Sequence, residues 1–202
     1  MPVPVKNDCF NKDYHLPYDL AADHVHQAME DFVNFLGLIN QQLQSKGIPR
    51  LECLLMPATF SSIVGEFIST RIPEHCFSLA KNQYTNGHPD LIPQGKFPED
   101  PVQYAPEGIE VKGSRHASGW QGHNPESIWL MVFYFDSHTP NDRKKGVELK
   151  PFCFRGVYAA KLDKDDWAFS GRSPTSRRTI TASVKSSGLK KMKKNWIYSD
   201  LS

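Results

Sequence analysis

The sequence predicts an α/β (α+β) fold, a mixed central β-sheet flanked by helices. Two long segments with apolar residues at helical spacing come first, and a series of strand-like runs follows them. One of those runs is apolar at almost every position, as a strand is when both faces of its sheet are covered. The chain of 202 residues shows no repeat and no internal linker, so one domain over residues 1–202 is expected. Hydrophobic residues at 39% and charged residues at 23% are enough for an ordinary core.

Residues 1–18 are proline-rich and irregular and read as an N-terminal arm. From Leu20 to about Ser45, Val25, Ala28, Met29, Phe32, Leu36, Ile39 and Leu43 recur on one helical face, and Gly47 with Pro49 closes that helix. A second helix is expected over "PATFSSIVGEFISTRI", with Phe60, Val64, Phe67 and Ile68 on one side and its end at Pro73. "SLAKNQYTNGHPDLIP" reads as a turn and then a short strand starting near Asp90, and residues 94–108 as a proline-rich loop. In "IEVKGSR", residues 109–115, Ile109 and Val111 alternate with Glu110 and Lys112, the period of a strand. "SIWLMVFYFD" is the apolar central strand and "FCFRGVYAAKL" another. The polar C-terminal segment holds a short strand in "RRTITASV", a lysine-rich "GLKKMKK" and a small apolar anchor, "WIY".

Several classes are disfavoured. No apolar run approaches the roughly eighteen residues of a membrane span, and "MPVPVKNDCF" lacks the pattern of a secretory signal, so a cytoplasmic protein is expected. Cys9, Cys53, Cys76 and Cys153 are scattered, which fits reduced thiols and not a zinc site. No Gly-rich phosphate loop or nucleophile elbow occurs. Net charge is only +2, but its distribution is uneven. Between Arg155 and Tyr198 eleven Lys and Arg face three Asp, a net of +8, whereas residues 1–154 carry thirteen basic and eighteen acidic side chains, a net of −5. That asymmetry marks residues 155–202 as a candidate polyanion-binding portion, the plain alternative being a solvated lysine-rich tail.

Glu110 and Lys112 share one strand face, which is either a surface ion pair or half of a catalytic centre. If the strand near Asp90 pairs with the Glu110 strand, Asp90 and Glu110 converge at one end. Two carboxylates, completed by a backbone carbonyl and water, make an oxygen-only site suited to Mg²⁺. Lys112 beside them would orient and activate water and offset charge on a phosphate.

Pro89-Asp90 followed by Glu110-Val111-Lys112 resembles the signature of the PD-(D/E)XK nuclease superfamily, and the apolar strand after it falls where that fold has its next central strand. The resemblance covers roughly residues 60–160. It implies a restriction-endonuclease-like fold and an Mg²⁺-dependent endodeoxyribonuclease acting on double-stranded DNA, in particular a homodimeric type II restriction endonuclease. Alternatives within its reach are a repair nicking enzyme or junction resolvase, and a non-catalytic DNA-binding protein. It makes Asp90 and Glu110 metal ligands and Lys112 the third catalytic group. It also offers Glu66, on the preceding helix, as a further acidic ligand. Arg115, Gln121 and His123, in the glycine-containing loop after the catalytic strand, and Arg172, Arg177 and Arg178, in "SGRSPTSRRT", are the candidate DNA contacts.

Overall fold

The computed structural model describes residues 1–122, 127–169 and 182–200. Its architecture is mixed α/β, as the order of apolar patterns predicts. Helix α1 (Ala22–Ser45) and helix α3 (Pro57–His75) cover one face of a six-stranded sheet, with a single turn, α2 (Leu51–Leu54), between them. The sheet holds β1 (Leu79–Lys81), β2 (Leu91–Pro93), β3 (Ile109–Ser114), β5 (Ile128–Asp136), β6 (Cys153–Leu162) and β9 (Trp196–Ser199), side by side in that order. Only β3 and β5 run parallel; the other neighbours are antiparallel. A smaller sheet of β4 (Gln121–Gly122), β8 (Ala182–Val184) and β7 (Trp167–Phe169) lies with helix α5 (Ser186–Lys194) over the opposite face. A short helix, α4 (Pro140–Lys144), follows β5.

The period of two in β5 divides its side chains between two cores. Met131, Phe133 and Phe135 pack towards α1 and α3 with Phe32, Phe60 and Ile68, whereas Leu130 and Val132 pack with Trp120, Tyr158, Trp167 and Met192. This is why "SIWLMVFYFD" has no polar face. An ionic clasp also ties the helices: Asp31 on α1 accepts from Arg71 Nε at 2.8 Å and contacts His75 Nε2 at 2.7 Å on α3.

Four local expectations change. Helix α3 passes through Pro73 to His75, because a proline one turn from the end removes a single donor, and the Cys76 N–H still reaches the Ile72 carbonyl at 2.9 Å. "WIY" is not only an anchor but the sheet edge, β9, with Val157 opposite Tyr198. "GLKKMKK" is helical, since Gly188 and Met192 are buried against the second core. The N-terminal arm lies against the same edge, where Val3 N–H donates to the Phe152 carbonyl at 2.8 Å and Phe10 bridges Tyr198. Among the described residues no helix is long and apolar enough to cross a membrane.

Candidate active site

Strand β2 touches β3 at one register position, Leu91 opposite Ile109, and then diverges. Beyond that point the β3 edge needs other partners, and the first is a side chain: Asp90 Oδ2 accepts the Val111 N–H at 2.8 Å. Asp90 therefore stands beside Glu110, as the pairing of the two strands requires. The other wall is α3, and glycine lets it come close. A Cβ on Gly113 would lie 2.4 Å from the Ser61 carbonyl oxygen and 2.9 Å from Val64 Cβ, so β3 and α3 meet at a distance no larger residue permits. The result is a cavity of about 280 Å³ lined by Ser61, Ser62, Gly65, Glu66, Asp90, Glu110, Lys112 and Gly113.

Glu110 is buried, with 8% of its surface exposed. Its carboxylate accepts from Lys112 Nζ at 2.7 Å on Oε1 and contacts His88 Nδ1 at 2.9 Å on Oε2. Burial alone would raise its pKa, but the His88 hydrogen bond and the Lys112 charge win and hold it down to about 2. Asp90 goes the other way. Burial first and the Glu110 charge second push it up to about 7, against the lowering effect of the Val111 N–H. Two carboxylates set this close in a dry site cannot both be charged cheaply, so one keeps a proton near neutral pH.

That pairing fits a hard divalent cation, which would replace the Asp90 proton and offset the carboxylate repulsion. Among the described residues no group of three His, Cys, Asp or Glu side chains is placed to hold a metal. A cation here would therefore rest on Asp90 and Glu110, with backbone oxygen and water as its other ligands.

Of the expected site residues, the fold brings Asp90, Glu110 and Lys112 together. The ion pair between Glu110 and Lys112 exists, but in a partly buried site and not on an open strand face. Glu66 lines the same cavity from its rim; its side chain is 69% exposed and its carboxylate pairs with Lys81. Arg115 leaves β3 on the side of the β5 terminus, donating to the Ser137 carbonyl at 2.8 Å. Gln121 is exposed in β4, opposite Ser183. His123, Arg172, Arg177 and Arg178 lie outside the described residues.

The basic C-terminal portion is partly committed to internal contacts. Lys191 Nζ lies 3.0 Å from Asp163 and 2.5 Å from Asp166, and Lys193 Nζ sits 3.6 Å above the Tyr158 ring. Sequence reasoning missed His88, which precedes the Pro-Asp pair and holds Glu110. Its adjacency to that pair is the one signal that could have found it. Compared with known proteins, the chain matches no family model, no curated sequence and no solved structure.

Proposed function

We propose that this protein is an Mg²⁺-dependent endodeoxyribonuclease that hydrolyses phosphodiester bonds in duplex DNA, with a type II restriction endonuclease as the particular form. The observation that supports the reading is the convergence of Asp90, Glu110 and Lys112 in one cavity at the free edge of β3, with Glu110 buried, Asp90 half-buried and the two carboxyl groups close enough to shift each other's charge. Bound between Asp90 and Glu110, Mg²⁺ would supply Lewis-acid activation of water and charge neutralisation at the phosphate. Lys112 places its Nζ, 2.7 Å from Glu110 Oε1, beside that position, where it would face the charge that grows on the phosphate. His88 holds one oxygen of Glu110, which fixes the carboxylate's orientation. The basic portion after Arg155 supplies phosphate contacts, and a twofold dimer is the assembly that a palindromic site would call for.

Supercoiled plasmid and linear phage DNA, incubated with Mg²⁺ or Mn²⁺, provide the test. Cleavage is expected, and it should disappear on chelation and in Asp90→Ala. Intact DNA in both metals, with protein that is folded by circular dichroism, would overturn the reading.

A further inference from the structure

Beside the carboxylate pair opens a larger cleft, about 870 Å³, that shares Glu66, Asp90 and Glu110 with the smaller cavity and adds His88. Its remaining wall is of a different chemistry: Gln83, Tyr84, Asn86, Gln103 and Tyr104. Among the described residues the one Lys or Arg lining it is Lys81, which is already paired with Glu66. A phosphate would meet the acidic side chains of Glu66, Asp90 and Glu110 here, with the described Lys81 already paired. A flat, uncharged group with hydrogen-bonding edges would meet exposed rings and amides.

The wall is built in advance. Asn82 is buried and holds both halves of it, donating through Nδ2 to the Pro89 carbonyl at 3.1 Å and the Val102 carbonyl at 2.8 Å, while its Oδ1 accepts the Val102 and Tyr84 N–H groups, each at 3.1 Å. His88 N–H donates to the Gln103 carbonyl at 3.1 Å, and Ala105 N–H returns to His88 at 2.9 Å. Gly87 is required by this closeness, since a Cβ there would fall 2.5 Å from Asn82 Nδ2 and 2.7 Å from the Val102 oxygen. On this frame the Tyr104 ring stacks on His88, centroids 6.0 Å apart and planes 18° from parallel. Tyr104 nevertheless remains 58% exposed and Tyr84 44% exposed. This hydrogen-bonded backbone presents two tyrosines and three amides to water beside the candidate catalytic centre, side chains of the kind that bind flat polar ligands.

We infer that this cleft receives a nucleobase of the nucleotide flanking the scissile phosphate, stacked on Tyr104, with Gln83, Asn86 and Gln103 available to its edges. The inference rests on the nuclease reading and adds the place where the substrate's base is held. Stacking accepts any base, whereas amide contacts discriminate, so Tyr104 governs affinity and the three amides govern preference.

The test uses the full chain and a duplex that spans a mapped cut, with a single abasic nucleotide moved along the positions flanking it. Binding is measured in Ca²⁺ and cleavage in Mg²⁺. At one flanking position the parent should lose between about fivefold and a hundredfold in binding on the abasic duplex, the range for one base–aromatic stack. Tyr104→Ala should lose a similar factor on intact DNA and no longer distinguish intact from abasic DNA there, while Tyr104→Phe behaves as the parent. A parent that treats every abasic position like intact DNA, or a Tyr104→Ala variant that still discriminates, overturns the inference and leaves the nuclease reading standing. A parent that neither binds nor cuts DNA removes both.

Discussion

Asp90 and Glu110 titrate in opposite directions, and each direction has a consequence. In the metal-free protein Asp90, ordinarily near 3.8, is pushed up to about 7, first by burial and then by the Glu110 charge. The folded state therefore keeps a proton that the unfolded chain has released, and the site's contribution to stability is lost as pH rises from about 4 towards 7. Glu110, held near 2 by His88 and Lys112 despite its burial, contributes stability that is present above its ordinary 4.5 and is lost as pH falls towards 2. With a chelator present, unfolding free energy should fall by on the order of 1–3 kcal/mol between pH 5 and 8, and Asp90→Asn should flatten that slope. Adding Mg²⁺ should raise the Tm of the parent more at pH 8 than at pH 5.5, because a proton competes for Asp90 at the lower pH. Urea titrations across pH decide this, and an unchanged slope in Asp90→Asn would place the linkage elsewhere. Lys112→Ala should leave the fold intact, since Glu110 retains His88, but reduce turnover by about a hundredfold, as for loss of a positioned charge. Near-parental turnover would leave Lys112 as a plain ion pair. The three residues could be read from sequence because strand period and the Pro-Asp pair are local signals. His88 meeting Tyr104 could not, because it depends on a bridge between two irregular segments.

At the scale of elements, the site exists because α3 crosses β3 at glycine. Gly113→Ala would set a methyl against the Ser61 carbonyl and the Val64 side chain, and neither can swing away as the end of a long side chain does. The expected cost is about 1–3 kcal/mol, the usual range for overpacking. Gly65→Ala should cost less, its nearest atom being Gly113 N at 3.2 Å. Thermal unfolding of the two variants checks the order, and equal Tm values would mean that the crossing is looser than it stands here. The same scale explains what the chain revealed of its fold. Helices α1 and α3 and strands β3, β5 and β6 each carry enough apolar residues in a fixed period to announce themselves. Strand β1 has three residues, and β9 is defined by pairing with β6, a partner distant in the chain. Helix α5 buries only Gly188 and Met192 of its nine residues, so its lysines hid an amphipathic face.

Across the whole molecule, the DNA of the proposed reaction would meet two unlike surfaces. Apart from Glu66, Asp90, Glu110, His88 and the Lys81 that pairs with Glu66, the described lining of the cleft by Tyr104 is uncharged, made of amides, a threonine, a glycine and tyrosines. The portion from Arg155 to Tyr198 carries a net of +8 on a chain whose first 154 residues carry −5. Within it Lys191 and Lys193 are spent on Asp163, Asp166 and Tyr158, while Lys190 and Lys194 are exposed on α5. Contacts to phosphate release condensed counterions, so log affinity should fall with log salt by about 0.9 for each phosphate neutralised. Base stacking releases none. Replacing Lys190 and Lys194 together by Ala should therefore weaken binding to all sequences alike and flatten the salt slope by about 1–2, whereas Tyr104→Ala should weaken binding with its slope unchanged. Both variants would be titrated with DNA in Ca²⁺ at several salt concentrations. If the lysine variant keeps the parental slope, α5 faces solvent in the complex. The phosphate contacts must then come from the arginines of residues 172–178 or from Arg115, each of which can be replaced singly in the same assay.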